Sequence, residues 1–333
     1  MRKKKIIILL FLPIVLAAQT ITFIDGIPKD TSFTLQGEIK KIQKDYPQAV
    51  PVEFMKSENV ILHENMVYSR IGKRNLHIDL FTPLNKNVQK RIAVIIIHGG
   101  GWRTGDKKME WPAANYLASK GLVAATVEYR LSPEAKYPAG IFDLKNSIKW
   151  IKSNAGEFCI DTNKIVVYGC SAGGQLAALL GTTNGLGKFE DDSLSSKHTS
   201  NVHAVVDVDG IVDFTHPAES NKDADPAKPS AGKAWFGVSF NEQPSKWIEA
   251  SPINYVNSKT PPFIFINSSQ DRFHAGRDYM IEKLNHYNII SEVRTIKNTP
   301  HTFWLFEPWF NEVMFHSVNF IEKIFGIKKE LTE

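Results

Sequence analysis

The segment Tyr168-Gly169-Cys170-Ser171-Ala172-Gly173-Gly174 restricts this chain to few folds. It fits the pattern G-x-S-x-G, with the β-branched run Lys164-Ile165-Val166-Val167 before it and the helix-forming run Gln175-Leu176-Ala177-Ala178-Leu179-Leu180 after it. A strand that turns sharply into a helix forces its corner residue into a strained conformation. The corner side chain then projects out of the sheet, and glycines flank it where a Cβ would strike a neighbouring element. The helix N-terminus places partial positive charge beside any anion formed at Ser171.

A second segment points the same way. Residues 91–97 read as a fully buried strand that runs into His98-Gly99-Gly100-Gly101-Trp102. Successive glycines after a core strand leave backbone N–H groups able to approach a substrate closely. Such donors make an oxyanion hole, acting on charge that develops only in the transition state.

With these two motifs the chain resembles the α/β-hydrolases, in the branch shared by hormone-sensitive-lipase-like esterases and secreted carbohydrate esterases such as acetyl xylan esterases. The likeness extends over roughly residues 60 to 325. It includes Glu128-Tyr129-Arg130-Leu131-Ser132-Pro133-Glu134, Tyr137-Pro138-Ala139 leading to Asp143, and Asn298-Thr299-Pro300-His301-Thr302-Phe303. The resemblance implies a mostly parallel central sheet covered by helices, with an antiparallel hairpin at its start. It also implies that Arg130, Glu134 and Asp143 are structural and that His98 holds the shape of the oxyanion loop. The oxyanion donors are expected to be the N–H groups of Gly100, Gly101 and Ala172.

A serine hydroxyl needs a base, and the base needs an orienting carboxylate. In this fold the chain order is Ser, then Asp or Glu, then His. Of ten histidines, His301 follows the last expected strand on a short loop, which returns it above Ser171. The acid is expected after the preceding strand, 263–266, and Asp271 stands in the loop that leaves it. That loop departs from the family pattern: Ser268-Ser269 replace His-Gly, and Arg272-Phe273-His274 replace an apolar-proline pair. Asp278, seven residues on, is the alternative. No cofactor is expected, and no spacing of His and Cys suggests a metal.

The first residues read as a targeting segment: a basic start at Arg2-Lys3-Lys4-Lys5, an apolar run over 6–16, and small residues at Ala17-Ala18. The run is too short for a comfortable membrane span, so a cleaved signal peptide over 1–18 and a secreted or periplasmic location are expected. Removing those four cations takes the formal charge from +5 to +1. That leaves no electrostatic case for nucleic acid or membrane surfaces. Cys159 and Cys170 are read as small buried thiols rather than a bridge.

Residues 19–58 form an N-terminal extension, with a short helix over 36–45, and 59–333 form the hydrolase domain. A hairpin is expected from 66–71 and 76–81. Strands and helices then alternate, with strands at 122–129, 165–168, 202–208, 263–266 and 293–296 and helices at 111–120, 142–155, 172–180, 275–287 and 311–325. Such alternation signals a parallel sheet with helices on both faces. Two stretches break the rhythm, 183–200 and 214–244, and both are expected to line the site from the C-terminal edge of the sheet. The second is expected to form a lid or a substrate wall.

Trp102, Trp235 and Trp304 (and Trp309) fall near the expected site loops, where indole rings either stack on flat sugar faces or simply pack the lid. The resemblance extends this to esterases that remove acetyl, methyl or feruloyl groups from plant cell-wall polysaccharide. An acetylated polysaccharide or oligosaccharide is the expected partner. A small-molecule carboxylesterase or lipase, a serine peptidase and a non-catalytic binding protein are the other readings.

Overall fold

The structure is a computed structural model, and it describes residues 21–24, 26–85, 90–190, 197–224 and 229–327. The expected signal peptide at 1–18 lies outside the described residues.

The chain opens with a two-stranded hairpin, β1 (Ile21–Ile24) and β2 (Ile27–Asp30), followed by α1 (Leu35–Ile42) and the short β3 (Val50–Pro51). The α1 helix begins where its capping chemistry dictates: the Thr34 hydroxyl accepts from Gly37 N–H at 3.0 Å. Next come β4 (Val60–Ile71), β5 (Arg74–Pro83), β6 (Arg91–Ile97), α2 (Trp111–Ser119), β7 (Val123–Val127) and α3 (Ala139–Ser153). The centre of the chain holds β8 (Ile160–Cys170), α4 (Ala172–Thr182), β9 (Ala204–Val208), α5 (Pro217–Ser220), α6 (Ala231–Phe236) and α7 (Pro244–Glu249). The last elements are β10 (Phe263–Asn267), α8 (Arg277–His286), β11 (Ser291–Thr295), β12 (Phe306–Glu307) and α9 (Phe310–Phe325).

Eight strands form one sheet in the order β11-β10-β9-β8-β6-β7-β5-β4. From β7 to β11 every neighbouring pair is parallel, while β5 joins β7 antiparallel and carries the hairpin partner β4 at the edge. This is the α/β-hydrolase fold that the resemblance implied.

The period-two alternation of a strand divides the core in two. In β6, Ala93, Ile95 and Ile97 face one apolar cluster with α3 and α4, while Ile92, Val94 and Ile96 face another with α2 and α9. Both faces of these strands are therefore buried, which is why they read as unbroken apolar runs.

The N-terminal extension is tied to the rest of the body. Ile39 and Ile42 of α1 are buried in the second cluster, and β3 pairs with β12. Thr302, next to His301, donates its hydroxyl to Glu38 at 3.2 Å.

The structure corrects the expected place of the 183–200 stretch. Its described ends, 183–190 and 197–200, follow a helix and lead into the next strand, so they lie at the edge of the sheet away from Ser171. Asn184 exchanges hydrogen bonds with the Val202 backbone there, each at 2.9 Å. Only segments that follow strands emerge at the C-terminal edge. The second stretch, after β9, does so: Ala231 lies beside Gly101, where an added Cβ would come 3.1 Å from its methyl, and Trp235 stacks on Trp102.

Candidate active site

Ser171 occupies the corner between β8 and α4 with φ 54° and ψ −118°, a conformation that side chains rarely adopt. Its amide donates to Val208 O at 2.8 Å, which ties the corner to the neighbouring strand. The flanking glycines are needed for packing. A Cβ on Gly169 would strike the Gly173 carbonyl, and one on Gly173 would strike the carbonyl oxygen of Ile97.

His301 approaches Ser171 from the loop after β11. Its Nε2 lies 2.7 Å from Ser171 Oγ, and its Nδ1 lies 2.8 Å from a carboxylate oxygen. That carboxylate belongs to Asp209, not to Asp271 or Asp278. Asp209 follows directly on β9, the strand beside β8, with a φ of 53° and a fully buried side chain that reaches the imidazole. One of its oxygens accepts from His301 and the other from Ser268 N–H at 2.7 Å.

Asp271 instead begins a single 3₁₀ turn over Asp271–His274, with its side chain fully in solvent. Asp278 is also exposed and pairs with Arg277 at 2.8 Å. The loop after β10 thus supports the carboxylate through the Ser268 amide without supplying it. A signal for Asp209 exists in the sequence, because an apolar strand ends there directly in Asp209-Gly210. The usual order of elements, which places the acid one strand later, points to Asp271 instead.

The loop of Gly99, Gly100 and Gly101 lies against the serine: a Cβ built on Gly99 would come 3.3 Å from Ser171 Cβ. Among the described residues, the N–H groups of Gly100, Gly101 and Ala172 are spent on no intramolecular hydrogen bond. All three therefore remain available as donors. Tyr129 holds the loop from beneath. Its hydroxyl donates to His98 O at 3.0 Å, and its ring stacks on the His98 imidazole at 4.6 Å. Burial pulls the His98 imidazole below its ordinary range, which favours its neutral form. Farther along, Arg130 makes a two-pronged pair with Asp143, and Glu134 accepts from Arg74 at 2.8 Å. Both arrangements fit structural roles.

The three tryptophans expected to stack on substrate do not face solvent. Trp102, Trp235 and Trp304 are all buried. Trp102 lies flat on Trp235 with centroids 5.0 Å apart and donates Nε1 to Gln175 at 2.8 Å. Phe214, Phe236, Tyr137 and Trp247 complete this aromatic cluster, in which Phe214, Trp235, Phe236 and Trp247 come from the segment between β9 and β10. Each such pair contributes about 0.5–1.5 kcal/mol beyond its buried area, so the rings hold the segment down. Trp309, also buried, packs edge-on to Tyr46. Trp304 stands edge-on to His301 at 5.4 Å and so lines the back of the site.

Cys159 and Cys170 are free thiols, and burial pushes the Cys170 thiol well up, leaving it unreactive beside the serine. Among the described residues no cluster of His, Cys, Asp and Glu is placed to hold a metal ion. A groove of about 770 Å³ runs between the first hairpin and β5, but its lining includes none of Ser171, Asp209 or His301.

A serine corner between strand and helix, with an imidazole and carboxylate in series above a mostly parallel sheet, defines an α/β-hydrolase. The chain belongs to the BD-FAE family, whose description matches residues 78–275. It is 32% identical over 181 residues to esterase LipC of Mycobacterium tuberculosis, spanning 54% of this chain and 44% of that one. It is 36% identical over 104 residues to an arylesterase of Saccharolobus solfataricus, covering 31% and 33% of the two chains. The chain spans about half the length of the curated relatives it matches first. In fold it resembles a truncated carbohydrate esterase from gut microbiota, with TM-score 0.67, 24% identity, and 81% and 98% of the chains covered. It likewise resembles esterase 2 of Thermogutta terrifontis, with TM-score 0.66, 21% identity, and 83% and 96% covered.

Proposed function

We propose that this chain is an exported serine carboxyl-ester hydrolase that removes acetyl or other small acyl groups from plant cell-wall polysaccharide. The observation that carries the chemistry is the unbroken series Ser171 Oγ, His301 Nε2, His301 Nδ1, Asp209 Oδ2, with both gaps under 3 Å. Ser171 Oγ attacks the ester carbonyl carbon while His301 Nε2 takes the hydroxyl proton. The carbonyl oxygen becomes an oxyanion held by the N–H groups of Gly100, Gly101 and Ala172. Asp209 keeps the imidazole in the tautomer with its proton on Nδ1 and stabilises the imidazolium. Collapse of the intermediate breaks the bond to the alcohol oxygen, which receives the proton from His301. Water then attacks the acyl-serine by the same steps, releasing the acid and restoring Ser171.

Two features support a small acyl group. The Ala231 side chain crowds Gly101, where a Cβ would come within 3.1 Å of it. The Trp102–Trp235 stack fills the space behind that loop. The names of the matched relatives, esterases and a carbohydrate esterase, support the ester and sugar parts of the reading. The basic and apolar start of the sequence supports export. A feruloyl or methyl ester of the same polysaccharides is the alternative substrate.

The test is a series of nitrophenyl esters from acetyl to octanoyl, alongside acetylated xylan with acetate release measured. One methylene that a pocket cannot accept costs roughly 1–3 kcal/mol, so kcat/KM is expected to fall steeply beyond butanoyl. A rise through octanoyl, with no acetate released from xylan, would overturn the small-acyl reading.

A further inference from the structure

We propose that Phe273 is a positioning residue for His301, fixing the plane of the imidazole and favouring its protonated form during catalysis. The inference rests on the reading of His301 as the base. The loop after β10, where the acid was expected, instead lays the Phe273 ring parallel to the imidazole, with centroids 3.3 Å apart and planes within 5°. The contacts of Nδ1 with Asp209 and of Nε2 with Ser171 fix two atoms of the ring but leave it free to tilt about the line through them. Phe273 on the face and Trp304 on the edge remove that freedom.

The phenyl ring is itself held from behind. The Arg272 guanidinium carbon lies 4.6 Å from its centre, over the side that His301 leaves open. Arg272 Nε in turn donates at 3.1 Å to Glu219, a buried carboxylate that also pairs with Lys222 at 3.0 Å. The guanidinium charge is thus already answered by Glu219. A π face pressed against the imidazole attracts the cation formed when Ser171 gives up its proton. The charged and titratable groups around the imidazole are Asp209 from β9, Glu219, His216 and Lys222 from the segment after it, and Arg272. Behind them stand Glu38, reached through Thr302, and Glu110, beyond Trp304.

The experiment compares Phe273→Leu with Phe273→Trp, and uses Phe273→Met in place of leucine should that variant fail to fold. With Leu, kcat is expected to fall about 10- to 100-fold while KM stays within about two-fold, the signature of lost orientation. The acid limb of the kcat/KM–pH profile is expected to move to lower pH by a few tenths to about one unit, because the imidazolium loses its π face. Trp is expected to restore most of both. An NMR titration of the His301 ring follows the same shift with no substrate present. It therefore separates this inference from the esterase reading, which a fully active Ser171→Ala variant would overturn instead. Unchanged kcat in Phe273→Leu, or a loss that Trp does not rescue with the His301 titration unmoved, would overturn the inference.

Discussion

Asp209 and His301 lie 92 residues apart in the chain and 2.8 Å apart in space. The contact forms because β9 lies directly beside β8: Cys170 and Val208 are register partners, so the residues after each, Ser171 and Asp209, emerge side by side. His301 bridges them from the far end of the sheet. The carboxylate is fully buried, and its second oxygen is taken by the Ser268 amide, so its orientation is fixed before substrate arrives.

Changing Asp209 to Asn preserves shape but offers the imidazole the wrong partner. Ester hydrolysis is expected to fall by about 10³–10⁴-fold, the cost of losing the correct tautomer in a triad. Asp271→Asn and Asp278→Asn are expected to stay within about two-fold, since exposed surface changes away from a site do little. Steady-state kinetics of the three variants decide the matter. A silent Asp209→Asn beside a crippled Asp271→Asn would show that the loop after β10 supplies the acid.

Gly173 packs against the backbone of β6, and the methyl of alanine there would strike the carbonyl of Ile97. Neither backbone atom can rotate away. Gly173→Ala is expected to cost about 3 kcal/mol or more, at the upper end of overpacking penalties. Denaturant titration measures this directly. A variant as stable as the parent would mean that helix α4 sits farther from the sheet.

Burial pushes the carboxyl of Glu110 up from 4.5 to about 8, with the Trp304 indole as the opposing influence. A carboxyl whose folded value exceeds its unfolded value favours folding at low pH. The contribution is fully present below pH 4.5 and is lost as pH rises through about 8. Within that window stability is expected to fall by up to about 1.4 kcal/mol per pH unit relative to Glu110→Gln, which stays neutral. Equal slopes for parent and variant in unfolding curves between pH 5 and 8 would show that Glu110 is solvated or paired.

The sharp corner at Ser171, the glycine loop beside it, the place of His301 above it and the alternation of the sheet were legible because each rests on local chemistry. Glycines mark close approach, β-branched runs mark buried strands, and a histidine after the last strand has little choice of position. The hairpin at 66–81 was found shorter than it is, since β4 and β5 continue through residues with mixed burial. The carboxylate was missed because its place depends on which strands are neighbours, and Asp271 and Asp209 both follow apolar runs. The sequence leaves the tryptophans open between a sugar platform and lid packing for a related reason. An indole near a site loop packs the loop or meets the substrate according to what lies above it, and here that is the segment after β9.

The most direct test of the whole reading is covalent labelling with a fluorophosphonate, followed by peptide mapping, on the parent chain and Ser171→Ala. The expected result is one adduct per chain on Ser171, with ester hydrolysis lost in step, and neither adduct nor activity in the variant. An adduct on Cys170, or a Ser171→Ala chain that still hydrolyses short acyl esters at more than a few percent of the parent rate, would contradict it.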